Sequence, residues 1–528
     1  MSDSAAFSAK NDAGQSGIEG IRAAILEISM RPSSGIMGMS AKDKYNAMAA
    51  EVLKWLHNRG KFYYVADRPE FAGGLYFDSV RKILQRIQSD FFLAWLSDCL
   101  LINRAERAFV VIQTALETES LTVRSDGVEP ESFWASRRGA FYLSNGPGKM
   151  AKITRAGVQM VDNGADGVLF SAEFVLREWI LCNPINPFER CKIFSEMQTT
   201  SPHGKLLFEL WATCLPSNQS TKPPLVVTGP VGSGKTRCIK GIFELYGIPA
   251  RIGNIAENGE ADFWVSVDMG GLYCADNADI RTKWFVNTME LVATGGQVEK
   301  RKLYTDSAMV FLKPKAWVAI TSANPEFAAM PGLADRLLVV RLDRRDGGTE
   351  DKKLSEEIAV VRDSGLSWIC YSLHYALDDD DDVPRGLNKR HPDWADLAVR
   401  VGRAIGRGED AENAVRAAEE DKSRFNLEND SVGQALLEAC KYEVVSGTVG
   451  EIRETLVKYD SYIEKLSTRQ IAKRFEKLFP HLQELLGAKK NRSHNNTLSY
   501  FFKCLNDGCG GYGGYESLFS EKSRKEEK

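Results

Sequence analysis

Leu225-Val226-Val227-Thr228-Gly229-Pro230-Val231-Gly232-Ser233-Gly234-Lys235-Thr236 decides the fold. A short apolar run, Leu225 to Val227, has the length of a buried strand and leads into Gly229–Thr236, which fits G-x-x-x-x-G-K-[ST] at every position. Glycines let such a loop turn tightly with its N–H groups aimed inward, and the helix expected from near Lys235 points its N-terminus at the same anion. The stretch reads as a nucleotide phosphate site. Lys235 is expected to reach the β- and γ-phosphates and the Thr236 hydroxyl to sit on Mg²⁺. Gly229, Pro230, Val231, Gly232, Ser233, Gly234, Lys235, Thr236 and the adjoining Arg237 are therefore the candidate residues for ATP, with Mg²⁺ as its companion. The plain alternative is a glycine-rich turn without a ligand.

A phosphate loop needs a second acid for the metal, normally at the end of a neighbouring strand. Gly271-Leu272-Tyr273-Cys274-Ala275-Asp276-Asn277 is an apolar run ending in Asp276, which lies 41 residues beyond Lys235 and leaves room for one helix and one strand. Asp268, closing Phe263-Trp264-Val265-Ser266-Val267, is the rival. A third run, Ala316 to Thr321, leads into Ser322-Ala323-Asn324-Pro325, where Asn324 could orient the attacking water or the γ-phosphate. An Asn opening an Asn-Pro turn is its ordinary reading. Arg336, between a short helix end and the run Leu337 to Arg341, could reach the γ-phosphate of a neighbouring subunit. The alternative is a salt bridge to Asp335 or Asp343.

The 528 residues, 43% hydrophobic and 10% aromatic, can fill two to four domains. No stretch of 18 apolar residues appears, so no membrane partner is expected, and the first 20 residues lack the pattern of a signal peptide. Ten cysteines are scattered without a C-x-x-C pair, which favours a reducing, cytoplasmic setting and gives no zinc site. A net charge of −3 requires any basic surface to be local. Along the chain we expect a flexible arm (1–46, with one helix from Ile18 to Ser29) and an α+β domain (47–200). Within that domain, 44–58 and 78–101 read as helical. A phosphate-loop domain of parallel sheet and helices (201–377), an acidic linker (378–387), a helical region (388–465), a basic unit (466–505) and a disordered tail (506–528) complete the multidomain α/β reading.

Between 467 and 503 eight Lys or Arg face two Glu, a local excess of six positive charges. A capped helix from Ser467 or Thr468, ended or restarted at Pro480, is followed by a second apolar set, a basic turn at 489–492 and the strand Leu498 to Phe502. The order resembles a winged helix-turn-helix, which puts Arg469, Lys473, Arg474 and Lys477 on a helix and Lys489, Lys490 and Arg492 on the wing as duplex-DNA contacts. A protein-contact module is the other use of such a unit.

The order of parts over roughly 205–345 resembles the AAA+ ATPases, and among them the superfamily 3 helicases of poxvirus type found as phage and plasmid primase-helicases. The resemblance implies that Gly229–Thr236 is the Walker A loop, Asp276 the Walker B acid, Asn324 the sensor-1 asparagine and Arg336 the arginine finger. It also implies a hairpin between acid and sensor that projects into the channel of a homo-oligomeric ring, a hexamer, where Lys300, Arg301 and Lys302 would grip single-stranded DNA. One departure stands out: Asn277 occupies the place of a second acid, so hydrolysis is slow or is assisted by Asp279. Two functions follow. One is a ring-forming DNA-dependent ATPase, a helicase or translocase of a mobile element. The other is a slowly hydrolysing, nucleotide-gated scaffold on DNA that recruits a nuclease, primase or transposase.

Overall fold

Five short strands carry the centre of the molecule: β1 (Leu225–Thr228), β2 (Ile252–Asn254), β3 (Leu272–Asp276), β4 (Trp317–Ser322) and β5 (Leu338–Arg341). They form one sheet in the order β2-β3-β4-β1-β5, with every neighbouring pair parallel. The structure, a computed structural model, describes residues 17–33, 38–65, 74–122, 126–279, 282–301, 309–344, 350–492 and 498–503.

A parallel sheet covered on both faces needs apolar residues at every position, and period 2 sorts them between two cores. Leu225, Val227, Cys274, Trp317, Ala319, Leu338 and Val340 face one core, which also holds Ile239, Ile242 and Phe243 of helix Lys235–Tyr246 and Ile358, Leu366 and Ile369 of helix Asp351–Asp378. Val226, Tyr273, Ala275, Val318, Ile320 and Val339 face the other, with Phe263, Trp264, Phe285, Met289, Phe327 and Phe425. The chain therefore runs from β1 out to the edge at β2, returns through β3 and β4, and crosses to β5, so the direction of connection reverses between β1 and β4, the place where open sheets of this kind bind ligands at the carboxyl ends of their strands.

Several expected boundaries shift. Phe263 to Val267 belongs to helix Glu260–Asp268, because its aromatics fill the helix layer instead of a strand position. The run 78–101 divides into strand Ile83–Arg86 and helix Asp90–Leu100, the latter capped by the Ser89 hydroxyl. The helix in the expected arm, over 17–30, buries Ile21, Ile25 and Ile28 against Val52 and Leu56 of helix Ala41–Arg59, so it belongs to the N-terminal core. Residues 1–16 lie outside the described residues.

The expected 47–200 domain is two units. The first is a sheet in the order Ile83–Arg86, Gly74–Asp78, Gly60–Val65, Asp126–Val128, covered by helices Ala41–Arg59 and Arg107–Leu121. The second is an antiparallel meander of strands Trp134–Arg137, Ala140–Asn145, Lys149–Thr154 and Gly157–Asp162. Its inner residues Trp134, Leu143 and Ile153 share one core with the central sheet, and Trp134 stands edge-on to Tyr246 at 5.3 Å. Arg362, 2% exposed, fastens this junction by donating to the carbonyls of Arg177, Glu178 and Tyr246.

The acidic run 378–382 is clamped. Arg403 pairs with Asp379 at 3.3 Å and donates to the carbonyls of Asp381 and Asp382, while Arg155 pairs with Asp380. Cations from the meander and from helix Pro392–Ala404 turn what reads as a linker into a joint.

The basic C-terminal unit begins near Ser431, well before 466. Its core runs from Leu427 to Phe502 and takes in helix Ser431–Ala439, strand Val445–Thr448 and helix Val449–Val457 before reaching helix Thr468–Leu486. Strand Leu498–Phe502 pairs antiparallel with Val445–Thr448 on one side and with Lys489–Arg492 on the other, so the expected basic turn is a strand of a hairpin. Helix Thr468–Leu486 passes through Pro480 without stopping, because Phe475, Leu478, Leu482 and Leu486 on either side bury into one core and outweigh the lost hydrogen bond. Ser467 and Gln470 close its N-terminus as a reciprocal capping box. The tail from 504 lies outside the described residues.

Candidate functional site

The loop after β1 is built from three left-handed glycines, Gly229, Gly232 and Gly234, with φ of 148°, 84° and 87°. A side chain at Gly229 would strike the carbonyl of Leu342, so glycine is required there by space as well as by φ. Lys235 opens the following helix, is 8% exposed, and donates from Nζ to the carbonyls of Gly229 and Pro230 at 2.7 and 2.9 Å. Burial holds its ammonium below the usual lysine range, opposed by the nearby carboxylates of Asp279 and Asp276. Ser233 is also buried, and its hydroxyl has no hydrogen-bond partner among the described residues. Left-handed glycines, a cation folded over the loop and an orphaned hydroxyl in it fit a polyphosphate bound by backbone N–H groups.

Asp276 ends β3 at the same edge of the sheet. Its Oδ1 accepts from the Thr236 hydroxyl at 2.6 Å and from the Thr321 hydroxyl, and its Oδ2 from the Asn277 amide at 3.2 Å. One carboxylate is thus tied to the helix after the loop and to β4. A hydroxyl and a carboxylate side by side under the loop are the oxygen ligands that a phosphate-bound Mg²⁺ takes from protein. Asp268, the rival acid, accepts from the Lys313 backbone N–H at 2.9 Å, beside the amino end of β4. It lies at the opposite edge of the sheet.

Asp279 joins the two strand ends. Its Oδ1 accepts from the Ser322 hydroxyl and from the backbone N–H groups of Ala323 at 2.9 Å and Asn324 at 3.1 Å. Burial alone would raise this carboxyl, but those donors and Lys235 outweigh it and hold it below the ordinary aspartate value. Asn324, exposed at the end of β4, is therefore positioned through its backbone, with its amide 3.4 Å from Glu326. Asn277 has a left-handed φ of 50° and turns its amide onto Asp276. Thr321 and Ser322 join the site although the sequence gives them no role there. The only signal they offer is a pair of hydroxyls at the end of an apolar run.

Other candidates are placed apart. Arg237 directs its guanidinium to Glu244 and Asp351, both at 3.3 Å, and so toward helix Asp351–Asp378. Its side chain is committed away from the loop. Arg336 donates to the carbonyl of Gly332, and its buried Nε has no partner among the described residues. Neither expected carboxylate takes it, for Asp335 pairs with Arg390 at 3.6 Å and Asp343 accepts from Thr200 at 2.9 Å. The Leu338 N–H bonds the Pro224 carbonyl, which puts Arg336 at the amino end of β5, roughly 13 Å of strand from the loop of its own chain.

Two nucleic-acid candidates remain. Lys300 and Arg301 lie on strand Val298–Arg301, which pairs antiparallel with Met309–Leu312, so a hairpin stands between the acid and β4. Lys302 falls outside the described residues. On the C-terminal unit Arg469, Lys473, Lys489 and Arg492 are exposed. Arg474 instead pairs with Asp430 at 3.6 Å and bonds Ser431, and Lys490 pairs with Glu476 at 3.1 Å over the Phe479 ring. Internal carboxylates account for those two cations.

Residues 194–423 match a family model described as actinomycete integrative conjugative element replication protein. The match spans the glycine-built loop, all five strands and the helices up to Gly408–Glu428. No curated protein matches the chain. Two solved structures of the C-terminal region of NrS-1 align over 86% of this chain and 98% of theirs, at 10% and 9% identity with TM-scores of 0.38 and 0.37. A likeness that distant has no weight for fold or function. No helix among the described residues is long and apolar enough to cross a membrane.

Proposed function

We propose that the chain is a Mg²⁺-dependent ATPase acting on DNA in the replication of a mobile element, a ring-forming helicase or translocase of the AAA+ superfamily 3 type. The observation that carries the reading is the contact of Thr236 with Asp276 directly beneath a glycine-built loop at the carboxyl edge of a parallel sheet. The family match over 194–423 supports the replication setting.

In this reading the N–H groups of 229–236 hold the ATP phosphates, and Lys235 leaves the Gly229 and Pro230 carbonyls to meet the β- and γ-phosphates. Thr236 and Asp276 are the residues that would hold Mg²⁺, whose charge would offset the charge developing on the phosphates. Asn324 orients the attacking water, and Asp279 fixes Asn324. Arg336, too far from its own loop, serves the site of the next copy in a hexameric ring. Lys300 and Arg301 of the 298–301 strand hold single-stranded DNA in the channel, and the C-terminal unit, a winged helix, holds duplex through Arg469, Lys473, Lys489 and Arg492. Mg²⁺-dependent ATP turnover that vanishes in Lys235→Ala is the first test. Full turnover in that variant would overturn the reading.

One observation favours the slower scaffold. Asn277 supplies no carboxylate, and one oxygen of Asp279 is already shared among three donors. Strand displacement on a tailed duplex separates the two, since a scaffold would bind the duplex and leave it paired.

A further inference from the structure

Helix Thr468–Leu486 carries cations with two destinations. Arg469 and Lys473, near its N-terminus, are exposed to solvent. One turn beyond Lys473, Lys477 donates from Nζ to the carbonyl of Ala329 at 3.1 Å and lies 3.2 Å from Met330 Sδ. Ala329 closes the single turn Glu326–Ala329, which starts two residues after Asn324. The turn is gripped from a second side. Asn426, fully buried on helix Gly408–Glu428, donates its amide to the Ala328 carbonyl at 2.7 Å. The two gripping helices are tied to each other by Ser423, which bonds His481 Nδ1 at 2.9 Å and the Glu484 carboxylate. Phe327 and Ala328 share a core with Val226 and Ile320 of the central sheet.

We propose that Lys477 is a positioning residue through which duplex DNA on the C-terminal unit controls Asn324, and with it ATP turnover. The inference rests on the function proposed above. A helix rises about 1.5 Å per residue, so Lys473 and Arg469 stand about 6 and 12 Å from Lys477 on one rigid rod. A ligand shifts an equilibrium only through contacts that differ between its two states. Lys477 provides such a difference, because a phosphate backbone lying along Arg469 and Lys473 attracts the same ammonium that the Ala329 carbonyl holds. Without duplex, Lys477 restrains the turn and Asn324 with it. With duplex, the ammonium goes to phosphate and the restraint is released.

The test measures ATP turnover of the full chain against ATP concentration, with and without a blunt duplex, for wild type, Lys477→Met and Lys477→Arg. Duplex should raise wild-type kcat on the order of fivefold or more, the lower end of ordinary coupling, without changing KM. Lys477→Met should start within about twofold of the stimulated wild-type kcat, respond no further, and still bind duplex through Arg469 and Lys473. Lys477→Arg, able to donate to the same carbonyl, should restore both the low basal rate and the response. Lys477→Leu, a second side chain without a donor, should behave as Lys477→Met does. Wild-type turnover that ignores duplex, or a Lys477→Met protein with a normal basal rate and full response, would overturn the inference and leave the ATPase reading standing. A folded Lys477→Met protein with no turnover would overturn it too. If wild type hydrolyses no ATP under any condition, the ATPase reading itself fails and this inference falls with it.

Discussion

Replacing Asp279 with alanine probes a contact that joins the segment after β3 to the end of β4, beside the Thr321–Asp276 bond. The variant removes a carboxylate oxygen that accepts from the Ser322 hydroxyl and from the N–H groups of Ala323 and Asn324. A hydrogen bond to a charged group contributes about 1.5–3 kcal/mol, but three on one oxygen of a partly exposed side chain are screened and not additive, so about 2 kcal/mol is expected in all. For a unit of this size that is a fall in melting temperature of about 4–8 °C. Turnover should suffer more. Freed of its anchor, Asn324 shifts on the order of 1 Å, and a misplacement of that size costs about 100-fold in kcat. Affinity for ATP should hold, because Lys235 and the glycine loop are untouched. The pH dependence has a definite sign. The Asp279 carboxyl is depressed in the folded chain, so its stabilisation is complete above the ordinary aspartate pKa of about 3.9 and is lost as pH falls through the lower folded value. The stability margin of wild type over Asp279→Asn should therefore be flat above about pH 5 and shrink below about pH 4. Thermal melts across pH and steady-state kinetics check all four. A melting temperature within about 1 °C of wild type together with kcat within about threefold would refute the reasoning.

Asp276→Ala should abolish ATP turnover while Asp268→Ala, at the far edge of the sheet, leaves it near wild type; the reverse would move the metal site. Mixing Arg336→Ala with Lys235→Ala should recover turnover at interfaces that keep both halves, and failure to recover with mixed assembly confirmed would make Arg336 structural. Losing Arg469 or Lys473 should each remove about 0.9 from the log–log salt slope of duplex binding, whereas Arg474→Ala should lower the melting temperature and spare the slope, because its guanidinium is held by Asp430. Neutralising Lys300 and Arg301 should weaken single-strand-stimulated turnover and leave duplex binding alone, and equal losses on both substrates would mean one DNA surface.

The glycine-built loop, the helix after it and the strand ending in Asp276 were legible because each is local. A glycine needs a left-handed φ whatever surrounds it, and an apolar run of strand length needs burial on both sides. The basic character of the C-terminal unit was legible for the same reason. Its extent was not. Ser431 to Val457 joins it through a strand, Val445–Thr448, that becomes part of a sheet only when Leu498–Phe502 arrives from more than fifty residues away. Phe263 to Val267 was open to error because a short apolar stretch satisfies a strand or a buried helix equally well.

By itself, then, the sequence determined the groups offered at the loop, its glycines, a lysine, a hydroxyl and a nearby carboxylate, and that cations cluster toward the C-terminus. Only the tertiary structure decided which of those groups are available. It committed Arg237, Arg474 and Lys490 to internal carboxylates, clamped the acidic run with Arg155 and Arg403, and put Asp268 and Arg336 at the edge of the sheet away from the loop. It also brought Thr321 and Asp279 to Asp276 and Asn324, and Lys477 to Ala329. The physical reason is that the charge and hydrogen-bonding capacity of a side chain belong to the residue, whereas the partner that uses them is fixed by strand order and helix packing, which bring together groups far apart along the chain.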